Sequence, residues 1–248
     1  DAFYERNADS FSFVYPYEKM TEIPMKLSIS DIKKMKAYDG NGYDIATEFS
    51  QNEKSFGKQE TEKQDKTYKQ AVRKQISGAE YGTIVHKFME LFPFEEMDKE
   101  KLTQETIKEI KQKLITDGIF DADECQVIRE NQILKFLQSE LGCRMIKAAR
   151  SGELFKERQF SASIPVSEVY SVETDEILVV QGIIDAYFYE DDAIVIMDYK
   201  TDAADEETLK SRYRAQLASY AEVTARLTGK KVKEQVIYSF HLNKMIQV

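Results

Sequence analysis

The alternation of apolar and polar positions is clearest over residues 181–201, where the chain reads QGIIDAYFYEDDAIVIMDYKT. β-Branched and aromatic residues fill both arms of this stretch, and the pair Asp191-Asp192 interrupts them, which predicts two strands joined by a tight turn. Counting outward from that turn on both arms brings Asp185 opposite Asp198. The pattern therefore predicts a β-hairpin that carries two facing carboxylates.

Two opposed carboxylates repel each other, because directly paired residues of antiparallel strands have Cβ atoms only about 4.5 to 5.5 Å apart. Lys200 follows Asp198 by two positions, so it lies on the same side of the strand. Asp185, Asp198 and Lys200 supply what a metal-dependent nuclease requires, namely carboxylates for a divalent cation and a positive group near the attacking water. We predict that these three residues are catalytic.

The remaining elements follow from changes in the period of the apolar positions. Asp205 is a typical N-cap and Gly229 a typical C′ residue, so a long helix is expected between them. Periods of three and four predict helices elsewhere, and a period of two predicts strands. The helices are predicted over 80–92, 98–117 and 123–151, and the strands over 153–166 and 232–240. The chain is thus predicted to be an α/β protein.

Composition divides the chain into three parts. Residues 1–36 contain irregular aromatic positions and a capping pattern from Ser28 to Asp31, which predicts an N-terminal arm with a short helix. This arm lies either over its own core or against a partner. Residues 37–78 accumulate Lys, Glu, Gln and Asn, as a solvated linker does. Residues 79–248 contain the predicted domain.

The charge balance counts against a free-standing DNA-binding protein. There are 35 Lys and Arg against 44 Asp and Glu residues, and the net charge is −9. The chain has no signal peptide and no apolar run of the ~18 residues that cross a membrane. These absences predict a soluble, cytoplasmic protein or a piece excised from one, and the start at Asp1 favours the piece. Cys125 and Cys143 fit a reducing compartment.

Several further residues are candidates for the same site. His86 shares a helix face with Glu90, although a lone histidine beside an apolar stripe is more often a core residue. Glu157 lies in the strand before the hairpin, where it is either a surface acid or part of the same cleft. Polar residues recur every four positions along the last helix, where they contact a phosphate backbone or form a half-buried polar seam. They are Arg212, Gln216 and Tyr220.

These motifs together resemble a known family. The segments YPYEKMTEIPMKLSISDIKK, AEYGTIVHKFME, KERQF, QGIIDAYF, MDYKTD and YRAQLASYAEV are similar to the C-terminal nuclease region of AddA subunits of bacterial AddAB helicase-nucleases. That group is RecB-like and falls within the PD-(D/E)XK superfamily. The resemblance spans nearly the whole chain and implies a mixed central sheet flanked by helices.

The resemblance implies roles for individual residues. His86, Asp185 and Asp198 would be metal ligands, with the main-chain carbonyl of Tyr199 as a further ligand. Lys200 would orient the nucleophilic water or stabilise the transition state.

Three other positions match the family less directly. Glu157 corresponds to the acidic residue of the upstream strand, although Gln159 stands where the family commonly has a proline. Gln216 and Tyr220 correspond to the helix motif that shapes the site and contacts DNA.

The resemblance also implies cofactors and partners. The cofactor would be Mg²⁺, with Mn²⁺ as a substitute, and the substrate would be single-stranded DNA in double-strand break repair and recombination. The partners would be the N-terminal helicase region of the same polypeptide and an AddB-type subunit. No G-x-x-x-x-G-K-[ST] loop occurs here, so ATP would serve only the absent helicase part.

Two other functions remain open at this point. The domain could be a catalytically idle module that docks and guides a DNA strand within the same complex. It could also be a free-standing RecB-like exonuclease, which the predicted arm and the missing basic patch disfavour.

Overall fold

The computed structural model describes residues 23–28, 31–32, 76–98, 100–170, 172 and 174–248. The helices in this part are α1 (Gly78–Leu91), α2 (Gln104–Thr116), α3 (Ala122–Val127), α4 (Glu130–Gln138), α5 (Glu140–Arg150) and α6 (Glu206–Thr228). Short 3₁₀ helices cover Phe94–Glu96 and Val166–Glu168. The strands are β1 (Lys26–Ser28), β2 (Leu154–Pro165), β3 (Ile177–Glu190), β4 (Ala193–Lys200), β5 (Val232–Ser239) and β6 (Lys244–Gln247).

The strands form one mixed sheet in the order β1-β3-β4-β5-β6, and β2 pairs with β3. β1 runs parallel to β3 and β4 parallel to β5, whereas the other pairs are antiparallel. β2 pairs along nearly all of β3, so β1 and β4 share the opposite edge of β3. The predicted α/β fold with a mixed, helix-flanked sheet is confirmed.

Helices cover both faces of the sheet with separate apolar cores. One core joins α1, α2, α4 and α5 to the sheet through fully buried side chains, among them Phe88, Phe136, Phe188 and Tyr238. The other joins α6 to the sheet, with Leu209, Leu217, Ile196 and Ile237 fully buried. The sheet is therefore fixed from both sides, which gives side chains on its strands defined positions.

The predicted hairpin and its register are confirmed. The pairs of β3 and β4 run from Ala186–Met197 at one end to Glu190–Ala193 at the turn. The turn residues have positive φ angles, 51° at Asp191 and 61° at Asp192. Positive φ at both central residues is the condition for the type I′ turn, which matches the twist of a two-residue hairpin.

Arg144 of α5 joins the turn end of the hairpin to the next strand. Its guanidinium donates to Glu190 of β3 at 3.0 and 2.7 Å and to Glu234 of β5 at 2.9 and 2.8 Å. The Lys233 ammonium adds a contact to Glu190 at 2.8 Å. Hydrogen bonds from Arg144, strengthened by Lys233, lower the pKa of Glu190 from 4.5 to about 2. This network fixes the hairpin against α5 and β5.

The helix predicted over 123–151 is wrong as a single element, because the structure divides it into α3, α4 and α5. The backbone is extended at Ile128 and again at Ser139. The Ser139 hydroxyl caps α5 by accepting the N–H of Gly142 at 3.1 Å. A Cβ on Gly142 would lie 2.1 Å from the carbonyl oxygen of Phe136, so this tight turn requires glycine.

Other differences lie at the ends of elements. The helix predicted over 98–117 begins only at Gln104, which Thr103 caps. The strand predicted over 232–240 ends at Ser239, and His241 lies in the turn before β6. Leu227 near the C-terminus of α6 is apolar but 61% exposed.

The predicted arm contributes β1 to the sheet. Ser28 and Asp31 exchange the two hydrogen bonds of the expected capping box, at 3.1 and 3.0 Å. Residues 1–22, 29–30 and 33–75, which include most of the arm and nearly all of the linker over 37–78, lie outside the described residues. The division of the chain at residues 36 and 78 therefore stays a prediction.

We predict that Arg144→Lys lowers the free energy of unfolding by about 1–2 kcal/mol, because an ammonium cannot form two bidentate pairs. Urea denaturation measures the change. The matched control is Arg226→Lys, whose exposed pair with Glu222 should change stability by less than about 0.5 kcal/mol. Equal effects of the two substitutions would contradict the proposed clamp.

The ion pair between Arg144 and Glu190 predicts that the free energy of unfolding depends on pH. Because the folded-state pKa of Glu190 is lowered, its stabilisation is present above pH 4.5 and disappears as the pH falls towards about 2. The stability difference between the wild type and Arg144→Lys should therefore shrink over that interval.

Candidate functional site

His86 enters the site from the middle of α1. A capping box between Ser77 and Glu80 fixes the start of this helix, with hydrogen bonds of 2.8 and 3.2 Å. The buried face of α1 places His86 beside the sheet, with its side chain 28% exposed. Its Nδ1 lies 3.3 Å from Oδ2 of Asp185, and its ring meets the Tyr199 ring edge-on at 6.0 Å.

Asp185 lies where β3 and β4 separate. The last pair of their ladder is Ala186–Met197, and Asp185 and Asp198 follow one position beyond it. Oδ2 of Asp185 accepts the backbone N–H of Tyr199 at 2.8 Å. The carboxylate thus satisfies an N–H at the point where regular pairing between the two strands ends.

Glu157 approaches Asp185 from β2. The pairing of β2 with β3 passes from Lys156–Ala186 to Arg158–Ile184 and omits Glu157, whose φ angle is 46°. The alternation predicted along this strand is therefore interrupted at Glu157. A left-handed conformation is costly for a residue with a long side chain, and outside tight turns such residues cluster at functional sites.

These side chains form a group with the donor atoms of a metal site. One ligand atom each from His86, Glu157 and Asp185 lie within 4.8 Å of one another. Imidazole nitrogen and carboxylate oxygen are both ligands of divalent cations, with oxygen preferred by Mg²⁺. The structure thus brings the predicted ligands His86 and Asp185 together with Glu157, which was expected either at the surface or in this cleft. The predicted ligand Asp198 does not belong to this group of three.

Asp198 and Lys200 lie beside this group on β4. Asp198 is 2% exposed, and its Oδ2 contacts the Lys200 ammonium. Among the described residues, that oxygen has no hydrogen bond of good geometry. A buried carboxylate oxygen with this unmet capacity fits a site that accepts a cation.

Tyr213 of α6 covers the other side of the Lys200 ammonium. The ammonium nitrogen lies 4.4 Å from the centroid of the Tyr213 ring, within the range of a cation–π contact. The Tyr213 hydroxyl donates to Oδ2 of Asp202 at 2.6 Å. Tyr213 is not among the residues predicted for the site, although it precedes Gln216 by three positions and therefore shares its helix face.

The carboxylates of the cluster outnumber the positive charge of Lys200 beside them. Burial, with the Asp185 and Glu90 charges, raises the pKa of Glu157 to about 7. Burial also raises the pKa of Asp198 to about 6, against the opposing effect of Lys200. In the absence of a cation, these two carboxylates take up protons more readily than ordinary acids.

The pKa values of Asp185, His86 and Lys200 also depend on burial and on the charges nearby. Burial alone would raise the pKa of Asp185, but His86, Lys200 and the Tyr199 N–H together outweigh burial and lower it. Burial alone would lower the pKa of His86 and of Lys200, but the carboxylates outweigh it and raise both. Charged Lys200 is therefore the stable form at neutral pH. The donor set and the protonation balance both fit a bound divalent cation.

The polar residues of α6 are close to the site but differ in exposure. Tyr220 is 5% exposed, packs edge-on against Phe160 at 5.8 Å and accepts a hydrogen bond from Gln216 at 2.9 Å. Arg212 is exposed and lies 4.0 Å from Asp202. Gln216 and Tyr220 thus form a polar seam, and the DNA contacts of all three residues stay predictions.

The fold and the acidic cluster can be compared with known families. The family model of the PD-(D/E)XK nuclease superfamily matches residues 54–246. The chain belongs to this superfamily. Its mixed sheet and the acidic group formed by His86, Glu157 and Asp185 agree with that membership.

The relatives of this superfamily member are much longer proteins, and the chain matches only a part of each. The chain is 37% identical over 243 residues to the ATP-dependent helicase/nuclease subunit of Clostridium botulinum (strain 657 / Type Ba4), covering 96% of this chain and 18% of that protein. It is 30% identical over 267 residues to the protein of the same name in Clostridioides difficile (strain 630), covering 98% and 19%. The predicted resemblance to the nuclease region of AddA proteins is confirmed, and the chain spans less than a fifth of the length of these relatives.

A solved structure titled "Crystal structure of SSO0001" aligns with 98% of this chain and 72% of its own, at 8% identity and a TM-score of 0.36. With so low a score, the fold assignment rests on the family match and the sheet topology. Among the described residues, no helix is long and apolar enough to cross a bilayer.

We predict that Asp185→Asn weakens Mn²⁺ binding at least about 10-fold, as the loss of a charged ligand does. Isothermal titration calorimetry measures the affinity, and Glu157→Gln should weaken it as well. The control Glu222→Gln, which removes an exposed carboxylate on α6, should leave it unchanged. Unaltered Mn²⁺ affinity in both site variants would rule out a metal site formed by these residues.

Proposed function

We propose that the chain is a metal-dependent DNA nuclease domain that hydrolyses phosphodiester bonds of single-stranded DNA within a helicase-nuclease. The observation that carries this proposal is the convergence of His86, Glu157 and Asp185 beside the Asp198–Lys200 pair. Membership of a nuclease superfamily supports the same reaction class.

The residues that would hold the cation are His86, Glu157 and Asp185, with Asp198 and the main-chain carbonyl of Tyr199 as further ligands. Mg²⁺ is the proposed ion, and Mn²⁺ would substitute for it. A bound divalent cation would lower the pKa of a coordinated water and offset the charge that develops on the phosphate.

Lys200 acts as a donor in this proposal. Its ammonium keeps its proton at neutral pH, because the Asp198 and Asp185 carboxylates outweigh the effect of burial on its pKa. A buried, charged donor can hold the attacking water or a phosphate oxygen but cannot serve as a general base. Asp198 and Tyr213 fix its position from two sides.

Asp185 and Glu157 differ in protonation in the absence of a cation. Asp185 stays ionised, because His86, Lys200 and the Tyr199 N–H lower its pKa against the effect of burial, and it is therefore suited to ligation. The pKa of Glu157 is raised to about 7, and a bound cation would favour its ionised form, as ligation requires.

The wider setting follows from the relatives. Proteins named as a subunit of an ATP-dependent helicase/nuclease match this chain over a fifth or less of their length. As partners in double-strand break repair and recombination, we therefore propose a helicase region of the same polypeptide and an AddB-type subunit. These partners would supply most of the DNA affinity, which a net charge of −9 does not favour.

We predict that Lys200→Ala and Asp198→Ala each reduce cleavage of end-labelled single-stranded DNA by at least about 100-fold, as the loss of a catalytic electrostatic contact does. A gel assay with Mg²⁺ measures the initial rate. The control Lys210→Ala removes a lysine that pairs with Glu206 on α6 and should leave the rate unchanged.

Undiminished cleavage by both site variants would refute the proposed chemistry. A wild-type chain that neither cuts DNA nor shows Mn²⁺ binding dependent on Asp185 would instead indicate an idle docking module. Cleavage that is equal with and without the helicase-containing assembly would favour a free-standing exonuclease.

We also predict that Tyr213→Leu lowers kcat by about 3- to 30-fold with little change in KM, because the Lys200 ammonium loses the ring that faces it. Tyr213→Phe keeps the ring and loses only the hydrogen bond to Asp202, so its kcat should be close to that of the wild type. Equal losses in the two variants would show that the hydroxyl, and not the ring, is required.

A further inference from the structure

Three aromatic side chains lie together on the sheet near the acidic cluster. They are Phe155 of β2 and Tyr187 and Tyr189 of β3, which we call the aromatic strip. Phe155 and Tyr187 are directly paired across the two strands, and their rings stack at 4.9 Å with an angle of 16° between planes. Tyr189 meets the Phe155 ring edge-on at 5.5 Å.

The strip starts beside the proposed metal site. Along β3, Tyr187 and Tyr189 follow Asp185 by two and four positions, and both rings pack against the apolar core on the α6 side of the sheet. The strip therefore extends from the acidic cluster towards the turn of the hairpin. All three rings are partly exposed.

Cations lie at both ends of the strip. The Arg158 guanidinium is 5.3 Å from the centroid of the Phe155 ring, and the Lys230 ammonium is 5.3 Å from that of Tyr189. Lys230 also pairs with the exposed carboxylate of Asp192. Partly exposed rings between basic side chains are the composition of surfaces that bind single-stranded nucleic acid, where bases stack on the rings and cations contact the backbone.

The spacing of the rings favours a single strand over a duplex. Side chains on one face of a strand are about 6.8 Å apart, whereas stacked bases of a duplex rise about 3.4 Å per step. The ring centroids of Tyr187 and Tyr189 are 6.1 Å apart. Successive bases can contact successive rings only when they are not stacked on each other, which requires a single strand.

We propose that the aromatic strip binds bases of a single-stranded nucleic acid next to the phosphate that lies at the acidic cluster. This inference rests on the proposed function for the position of the scissile phosphate. The base contacts themselves are separate from cleavage and can be measured without it.

The test compares two fluorescent oligonucleotides of about 20 nucleotides, longer than the usual site of a single binding module. One is oligo(dT), and the other is an abasic strand with the same backbone. Fluorescence anisotropy in EDTA measures their binding to the 248-residue chain, because no metal is then present to support hydrolysis. The wild type should bind oligo(dT) more tightly than the abasic strand.

Tyr187→Leu should weaken binding of oligo(dT) by roughly 5- to 100-fold, the usual effect of losing one stacking ring. Binding of the abasic strand should not change. Tyr187→Phe keeps the ring and should bind both strands as the wild type does. Tyr170→Leu, a half-buried tyrosine beyond the far end of β2, is the control for loss of an aromatic residue elsewhere.

Equal binding of the two strands by the wild type overturns the proposal, and so does an unchanged preference in Tyr187→Leu. In either case the rings serve only as a cross-strand packing pair. If Tyr187→Leu unfolds at a lower temperature than the wild type, Phe155→Leu provides the second variant, and the same comparison of strands decides.

The outcomes for the strip and for the nuclease proposal can be told apart. Loss of base preference in Tyr187→Leu, together with a wild type that cuts no DNA in Mg²⁺, supports the strip and refutes the nuclease. Normal cleavage by a wild type that shows no base preference refutes the strip and leaves the nuclease intact.

Discussion

The arrangement of the site depends on the hydrogen bond from the Tyr199 N–H to Oδ2 of Asp185. At this point β3 and β4 have ceased to pair, so the N–H needs an acceptor other than the opposing backbone. Burial alone would raise the pKa of Asp185, but His86 and Lys200, together with this bond, lower it and keep the carboxylate ionised. The contact thus satisfies the backbone N–H and holds a charged carboxylate beside His86 and Glu157.

The carboxylates at the two ends of the hairpin differ in how far neighbouring cations neutralise them. At the turn, Arg144 and Lys233 neutralise Glu190 and lower its pKa to about 2. At the site, burial raises the pKa of Glu157 to about 7 and that of Asp198 to about 6, and Lys200 only partly offsets the negative charge. Uncompensated buried carboxylates weaken a fold unless a ligand neutralises them, so the turn end supplies stability and the site end holds the unmet charge that a cation would satisfy.

The hairpin and its register could be predicted from the sequence because both depend on local signals, a period of two and an acidic turn at Asp191-Asp192. The left-handed backbone of Glu157 could not be predicted, because tertiary contacts impose it on a residue with no preference for it. The break at Ser139 was missed because the apolar spacing continues across it, although Gly142 was a visible cue. Tyr213 was missed because its role depends on how α6 crosses β4 and not on any motif.

The hairpin register sets the positions of both the acidic cluster and the aromatic strip. A shift of one residue would turn Tyr187 to the opposite face of β3 and would move Asp185 out of reach of the Tyr199 N–H. The turn at Asp191-Asp192 and the Arg144 network fix that register from the end of the hairpin far from the site. These residues do not contact the site, but they determine which side chains of β3 face the cluster. The register of the hairpin thus sets two positions at once. It places the carboxylate that would bind the cation, and it places the rings that would bind the DNA strand.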